Sequence, residues 1–376
     1  MIYVDVSAAV HSKAGLGRYS ERLAHALAAQ HPGEIALFYN QGKGAHLPPR
    51  LLPLPRRSVQ AGYKPWRMSV LLAHLSHVRF DGLVPDATLF HSTEHLLFPL
   101  RRVPTVLTVH DLIYKLYPAY HKRLNYWFLN LAMPLFCRRA GALIAVSEAT
   151  KQDIIRHYKI SPDKIHVVYE AAAPHFRPPA PQEIARVRAA YDLPERFLVH
   201  LSTIEPRKNL DRLLDALRVV RADYPDLQLV LVGARGWLFD DFFARVEREG
   251  LGEIVRALGW VPDEDLPAVL AAAALAVQPS LYEGFGLPIL EAMASGQVVA
   301  ASNSSSHPEV GGEAAAYFDP TDVAEMAGVI SRLLGSDAER AERRELGLAQ
   351  AARFSWERAA RETYAVYETL QGRQRR

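Results

Sequence analysis

The segment Glu283-Gly-Phe-Gly-Leu-Pro-Ile-Leu-Glu291, preceded by Gln278-Pro-Ser-Leu-Tyr282, sets two carboxylates on either side of a glycine-bearing turn. An apolar run ends near Gln278, and Pro288 stands where the first turn of a helix tolerates proline. Gly296 is placed to end that helix. A strand, loop and helix in this order leave free N–H groups and the positive end of a helix dipole at Gly286 and Leu287, with Gly284 and Phe285 on the approach. That is a ready site for an anion. Glu291 falls just inside the helix, where its carboxylate can accept from the vicinal hydroxyls of a ribose, and Glu283 is positioned for another hydroxylated group. A capped core helix with solvent-facing acids accounts for the same residues.

A second group follows another apolar run: Ser202-Thr-Ile-Glu-Pro-Arg-Lys-Asn-Leu210. Arg207 and Lys208 are adjacent cations at a helix start, the wrong sign for the dipole, so they call for an outside partner. A diphosphate supplies one, because Arg binds phosphate through two parallel bonds while Lys acts as a point charge. A surface pair bridged to Glu205 is the plainer reading. His110 follows the run 105–109 and so projects from a strand end, where open sheets bind ligands. It is one of 15 histidines, and a satisfied structural imidazole is its ordinary fate. Gly15 and Gly17, in Ala14-Gly-Leu-Gly-Arg-Tyr19, follow the first strand and start its helix. Ser20 stands where a dinucleotide fingerprint needs its third glycine, which disfavours a nicotinamide enzyme. Asp263-Glu-Asp265 spells a metal-chelating pattern, but Leu266-Pro-Ala-Val follows directly, so it reads as an acidic helix start. No metal site is expected.

These side chains need strand ends to hold them. Short β-branched runs recur at 2–6, 35–39, 88–91, 105–109, 143–146 and 165–168, with helical spacing at 19–30 and 124–139 between them. The pattern resumes at 197–201, 228–232, 254–258, 275–278 and 298–301, with a helix over 210–224. Alternation of this kind predicts an α/β protein with two doubly wound parallel-sheet domains facing across a cleft. The proline-rich stretch 177–182 marks the boundary, giving domains over 1–178 and 179–355. A C-terminal helix, 356–376, is expected to pack back on the first domain. The opening residues Met-Ile-Tyr-Val-Asp-Val-Ser read directly as a strand, with no charged leader.

The 376 residues are 49% hydrophobic and 23% charged with a net charge of +3. This is ordinary soluble-globular composition and excludes a disordered or disulfide-stapled chain. The lone Cys137 cannot pair internally, which points to a reducing cytosol. The longest apolar runs, 266–277 and 128–136, are too short for a membrane span. The near-neutral total conceals an asymmetry: residues 1–180 hold 22 Lys and Arg against 11 Asp and Glu, while the remaining 22 basic residues face 30 acidic ones. A basic first half suits an anionic partner such as a membrane surface or phosphorylated lipid. Nucleic acid is disfavoured, because no recognisable nucleic-acid module is present. The segment 124–136, flanked by Lys122, Arg123, Arg138 and Arg139, could lie on a membrane surface, but Pro134 interrupts it and a core helix is the preferred reading. The stretch 63–68 reads as an irregular connection or an acceptor-side loop.

Taken together, Glu283 to Glu291, Glu205-Pro-Arg-Lys-Asn209, Thr108-Val-His-Asp-Leu112, Ala145-Val-Ser-Glu-Ala149 and Ser302-Asn-Ser-Ser-Ser-His-Pro-Glu-Val310 resemble retaining glycosyltransferases of family 4 with the GT-B fold. The likeness spans nearly the whole chain, is densest over 197–320, and is closest to a mannosyltransferase-B-like branch. It implies a hexosyl transfer, without a metal, from a nucleotide diphosphate sugar to a glycan or lipid-linked acceptor. GDP-mannose is the first donor expectation and a UDP-sugar the second. The resemblance gives Arg207 and Lys208 the donor diphosphate, Glu283 the transferred sugar and Glu291 the ribose. Backbone amides at Phe285, Gly286 and Leu287 meet sugar and phosphate, His110 lies at the sugar, and Gly15 and Gly17 match the family's glycine-bearing loop, which lets backbone approach phosphate or sugar. Base recognition falls near Trp260 and Val261. Retention of configuration and a place in polysaccharide or lipopolysaccharide synthesis are likewise implications of the resemblance. The setting expected is cytoplasmic or peripheral on the inner membrane face. At Val168-Tyr-Glu-Ala-Ala-Ala-Pro174 the chain departs from the Asn-Gly-Val-Asp-like turn of many relatives, and His307 replaces a common leucine. Rival readings are an epimerase or phosphorylase of the same architecture and a catalytically silent sugar-binding subunit.

Overall fold

The computed structural model describes residues 1–12, 14–42, 44–120, 122–236 and 239–374. Met1–Glu170 together with Ser355–Arg376 form one compact unit, and Ala171–Phe354 form the second. The chain changes unit ahead of the proline stretch, because Glu170 is tied by its side chain to His110 of the first unit. The prolines fall within the second unit, where Pro181 opens the helix Pro181–Ala190.

The first unit is built on seven strands: β1 (Ile2–Asp5), β2 (Ile35–Gln41), β3 (Arg56–Gln60), β4 (Leu89–Ser92), β5 (Thr105–Val109), β6 (Ala142–Ala145) and β7 (Ile165–Val167). They pair in the order β3-β2-β1-β4-β5-β6-β7, every pairing parallel. The second unit has six: β8 (Phe197–Leu201), β9 (Gln228–Val232), β10 (Val255–Gly259), β11 (Leu275–Gln278), β12 (Val299–Ser302) and β13 (Ala316–Phe318). Their order is β10-β9-β8-β11-β12-β13, again wholly parallel. The central strands are buried along their length, as continuous apolar runs such as Thr105–Val109 and Phe197–Leu201 require when helices cover both faces.

Both sheets reverse their winding once, β1 beside β4 in the first and β8 beside β11 in the second. Where winding reverses, loops diverge at the carboxyl ends of adjacent strands and leave room for a ligand. His110 emerges one strand from the first switch point, after β5. Arg207, Lys208 and Glu283 emerge at the second, after β8 and β11.

The helix Trp356–Gln374 packs within the first unit against Ala14–Gln30 and the sheet. Tyr364 donates to Glu34 at 2.6 Å and stacks on His31 at 3.4 Å between ring centroids, while Tyr367 reaches 2.6 Å from His91 Nδ1 in the core. Residues 63–68 are no loop: they open the helix Tyr63–Leu75, whose Trp66 and Val70 are buried among Phe38, Phe90 and Phe98. Pro65 falls in its first turn, where no N–H is lost. Gly15 and Gly17 lie at the start of a helix, Ala14–Gln30. A Cβ on Gly17 would sit 3.1 Å from the Ala8 carbonyl oxygen, so the close approach this glycine permits is to the neighbouring helix Ser7–Val10.

Candidate active site

In the second unit β8 ends at Leu201, and the chain turns through a 3₁₀ segment, Pro206–Lys208. Asn209, at φ 60°, then redirects it into the helix Leu210–Val220. Arg207 and Lys208 therefore sit in a separate turn ahead of the helix. The Asn209 amide donates to the carbonyls of Pro279 (3.0 Å) and Pro320 (2.7 Å), tying the turn to the loop after β11. A Cβ on Gly233, at φ 134°, would stand 2.0 Å from the Ser202 carbonyl oxygen, so the loops after β8 and β9 touch backbone to backbone here.

Glu283 binds both cations. One carboxylate oxygen is 2.5 Å from Lys208 Nζ and the other 2.5 Å from the Arg207 guanidinium. Arg207 also bridges Glu205 and donates to the Tyr282 carbonyl at 2.9 Å. The group is sheltered: Lys208 is buried, and the Arg207 and Glu283 side chains are 14% and 13% exposed. Burial alone would raise the Glu283 carboxyl, but Arg207 and Lys208 outweigh it and hold the group far below the usual carboxylate range. Burial, with Arg207 alongside, lowers the Lys208 ammonium. Two cations that share one carboxylate, with Glu205 also on Arg207, in so dry a place are groups that can bind an oxyanion strongly.

The loop beside it is built from hydroxyls. Ser305 accepts from the Glu283 N–H at 2.8 Å, and Ser306 donates to the carbonyls of Glu283 and Phe285. Gly286, at φ 110°, precedes the helix Leu287–Ala294, with Pro288 in its first turn. A side chain on Gly286 would meet the His307 ring at 3.1 Å. That buried ring is 2.8 Å from Ser302 Oγ, and burial lowers its pKa to about 4, so it stays neutral beside the cations. Glu291 is buried one turn into the helix, and Val261 is buried after β10 next to exposed Trp260. Asp265 accepts from Tyr191 at 2.6 Å and from Arg186 instead of capping its helix. Among the described residues no group of His, Cys, Asp and Glu has the arrangement of a metal site.

In the first unit His110 is buried with both ring nitrogens engaged. Nε2 donates to the Thr93 carbonyl at 2.9 Å, and Nδ1 lies 3.2 Å from the Glu170 carboxylate. Burial opposes a charge on the ring, but Glu170 outweighs it and raises the His110 pKa. Tyr19 sets its ring edge-on at 4.6 Å, and its hydroxyl is 3.0 Å from Thr108, which in turn is 2.7 Å from His91. His110 is thus an imidazole fixed at both ring nitrogens, with Glu170 favouring its charged form.

Sequence reasoning singled out the residues of the Arg207–Lys208–Glu283 cluster and named Glu205 as a salt-bridge partner, but missed how closely one carboxylate binds both cations. Ser305, Ser306 and His307 were inside a noted motif without a role. Glu170 was visible only as the acid in a departing turn, and the polar line from Tyr19 to Tyr367 carried no signal.

Two doubly wound parallel sheets, one with a guanidinium, an ammonium and a carboxylate clustered at its switch point, define a GT-B glycosyltransferase. Residues 182–348 match the glycosyl transferases group 1, and residues 14–176 match glycosyltransferase family 4. O-antigen chain mannosyltransferase B of Escherichia coli is 37% identical over 287 residues, which is 75% of this chain and 74% of that protein. The serotype-specific mannosyltransferase WbdA of Escherichia coli is 31% identical over 72% of this chain, which spans 34% of that longer protein. Among solved structures, sucrose-phosphate synthase from Thermosynechococcus elongatus superposes with a TM-score of 0.79 at 21% identity, covering 98% of both chains. The chain belongs to the family 4 glycosyltransferases.

Proposed function

We propose that this glycosyltransferase moves a mannosyl unit from GDP-mannose to a hydroxyl of a glycan or lipid-linked glycan, with retention at the anomeric carbon. The observation that carries the reading is the Arg207–Lys208–Glu283 cluster at the β8–β11 switch point. Cleavage of a glycosyl phosphate leaves the electron pair of the broken bond on a phosphate oxygen. Two cations already fixed in a low-dielectric turn stabilise that charge as it develops, with no reorganisation at the moment of reaction. When the donor diphosphate binds Arg207 and Lys208, Glu283 is released from one or both and turns to the hydroxyls of the sugar. The amides at Phe285, Gly286 and Leu287 face the same anion, and Glu291 takes the ribose. Gly284 and Val261 complete the donor pocket, Val261 on the side of the base.

The family resemblance gives His110, whose pKa Glu170 raises, a place at the sugar, and Gly17 lets the helix Ala14–Gln30 pack closely on Ser7–Val10. Mannose is supported by the names of the curated relatives, and the guanine base and the retained configuration by the family branch the motifs resemble. No helix among the described residues is long and apolar enough to cross a membrane. A cytoplasmic enzyme working at the membrane face on a lipid-carried acceptor fits the basic first half.

A thermal-shift panel of GDP, UDP and ADP with their sugars tests the donor, since a ligand at a hundred times its dissociation constant stabilises by about 2.7 kcal/mol. The expected result is selective stabilisation by GDP and GDP-mannose, with release of GDP and a new mannoside when an acceptor is added. Selective response to UDP overturns the guanine assignment. Full turnover by Lys208→Ala overturns the site.

A further inference from the structure

Two helices of the first unit lie side by side: Tyr63–Leu75 and Arg123–Arg139. The Arg67 guanidinium donates to Asn125 at 3.0 Å and stacks over Phe128 at 4.1 Å. Arg139 donates to the His74 carbonyl at 2.6 Å, and His74 lies against Phe136. The two helices therefore run in the same direction. Their inner faces bury Trp66, Val70, Met133 and Phe136 in the core.

Their outer faces are not polar. Leu124, Trp127 and Leu131 recur one helical turn apart and are 88%, 66% and 59% exposed, while Met68, Leu72 and Leu75 form a matching exposed stripe on the neighbour. Isolated surface leucines are commonplace, but six large apolar side chains on adjoining turns mark an interaction surface. Neither helix contains an Asp or Glu, whereas Lys64, Arg67, Arg123, Arg138 and Arg139 all lie on them.

At the C-terminal ends of the same helices is a cavity of about 270 Å³, lined by Arg79, Arg139, His74, His77, Leu97 and Phe98 among others, with no carboxylate in its wall. Burial, with Arg139 and Arg79 adding to it, lowers His74 to about 4, so the fixed charges of the cavity are the two guanidiniums.

We propose that this two-helix face docks the enzyme on an anionic phospholipid bilayer, its apolar stripes entering the headgroup boundary and the Arg79–Arg139 cavity taking a lipid phosphate. An apolar stripe with Trp at its centre and cations at its margins is the composition that binds in the plane of an interface. Like charge argues against a second copy of the chain on this face. The surface deepens the proposed reaction at a lipid-carried acceptor, yet its test is independent of the donor site.

Cosedimentation with phosphatidylcholine vesicles, with and without phosphatidylglycerol, tests it in the full-length protein. The wild-type protein should bind only the anionic vesicles, and salt should weaken the binding. The triple substitution Leu124→Ser, Trp127→Ser, Leu131→Ser removes only exposed side chains. It should cut vesicle binding at least about tenfold while leaving thermal stability and transfer to a soluble acceptor unchanged. Arg79→Gln with Arg139→Gln should weaken it roughly thirtyfold through two lost surface charges. No binding to anionic vesicles, equal binding to neutral ones, or full binding by the triple variant overturns the proposal. So does a Trp127-dependent dimer in vesicle-free buffer, or stabilisation by inorganic phosphate through Arg79 and Arg139 without vesicle binding. In each case transfer to the soluble acceptor stands or falls separately.

Discussion

Replacing Glu283 with Gln keeps the shape of the side chain and removes the single negative charge that both Arg207 and Lys208 contact at 2.5 Å. Leaving buried cations without their counter-ion costs about 3–5 kcal/mol. For a unit the size of Ala171–Phe354 each kcal/mol shifts the midpoint by about 2–4 °C, so Tm should fall by roughly 6–20 °C. The pH dependence has a definite sign. A carboxyl depressed in the folded state contributes stability that is present above its unfolded pKa, about 4.3, and is lost as pH falls below that value. The gap between wild type and variant should therefore narrow on acidification. GDP should act oppositely on the two proteins. In wild type the diphosphate must first displace Glu283, whereas in the variant Lys208 has lost its carboxylate and Arg207 keeps only Glu205. Differential scanning fluorimetry across GDP concentrations should show tighter binding to the variant, by about tenfold or 1.4 kcal/mol, together with loss of transfer. A variant that melts with wild type and responds identically to GDP would refute the cluster as a diphosphate site.

Glu170→Gln removes the charge that raises the His110 pKa. A raised imidazole pKa contributes stability that is full below about 6.5 and is lost as pH rises through the folded value. The variant should thus be about 1–3 kcal/mol less stable at pH 6 and converge on wild type in alkali, with NMR titration placing His110 lower. Asn209→Ala deletes two buried carbonyl contacts and puts alanine at φ 60°. Chemical denaturation should show a loss of about 2–4 kcal/mol, with weaker GDP binding as the Arg207 turn loosens. Gly233→Ala sets a methyl group 2.0 Å from the Ser202 carbonyl. Displacing the loop after β8 should cost on the order of 3 kcal/mol, visible as reduced soluble yield and a lower Tm.

The parallel core was readable because a strand buried on both faces must be a continuous apolar run, and 105–109 and 197–201 match their strands in full. The edges were not. β3 reads Arg-Arg-Ser-Val-Gln and is largely exposed, and β13 is three residues long. Edge strands are kept short and charged to discourage further pairing, which erases the signal a sequence reader relies on. Residues 63–68 misled because Pro65 and two aromatic residues suggest irregular backbone, although a first-turn proline costs a helix nothing. The helix 123–139 was ambiguous for a physical reason: it buries one apolar face and exposes another, so no single amphipathic stripe stands out. At the site, residue types showed which side chains could meet an anion. They could not show that Glu283 grips both cations, since that depends on β8 and β11 being neighbours. Nor could they show the pairing of His110 with Glu170, sixty residues apart.

The return of Trp356–Gln374 to the first unit has a consequence for biosynthesis. Tyr367 closes on His91, and Trp356 on Tyr19, only after the whole of Ala171–Phe354 has left the ribosome. At about 5–20 residues per second that interval is roughly 10–40 s. Throughout it, nascent residues 1–170 lack the helix that packs against them in the finished unit. The first unit, although begun first, is therefore completed last.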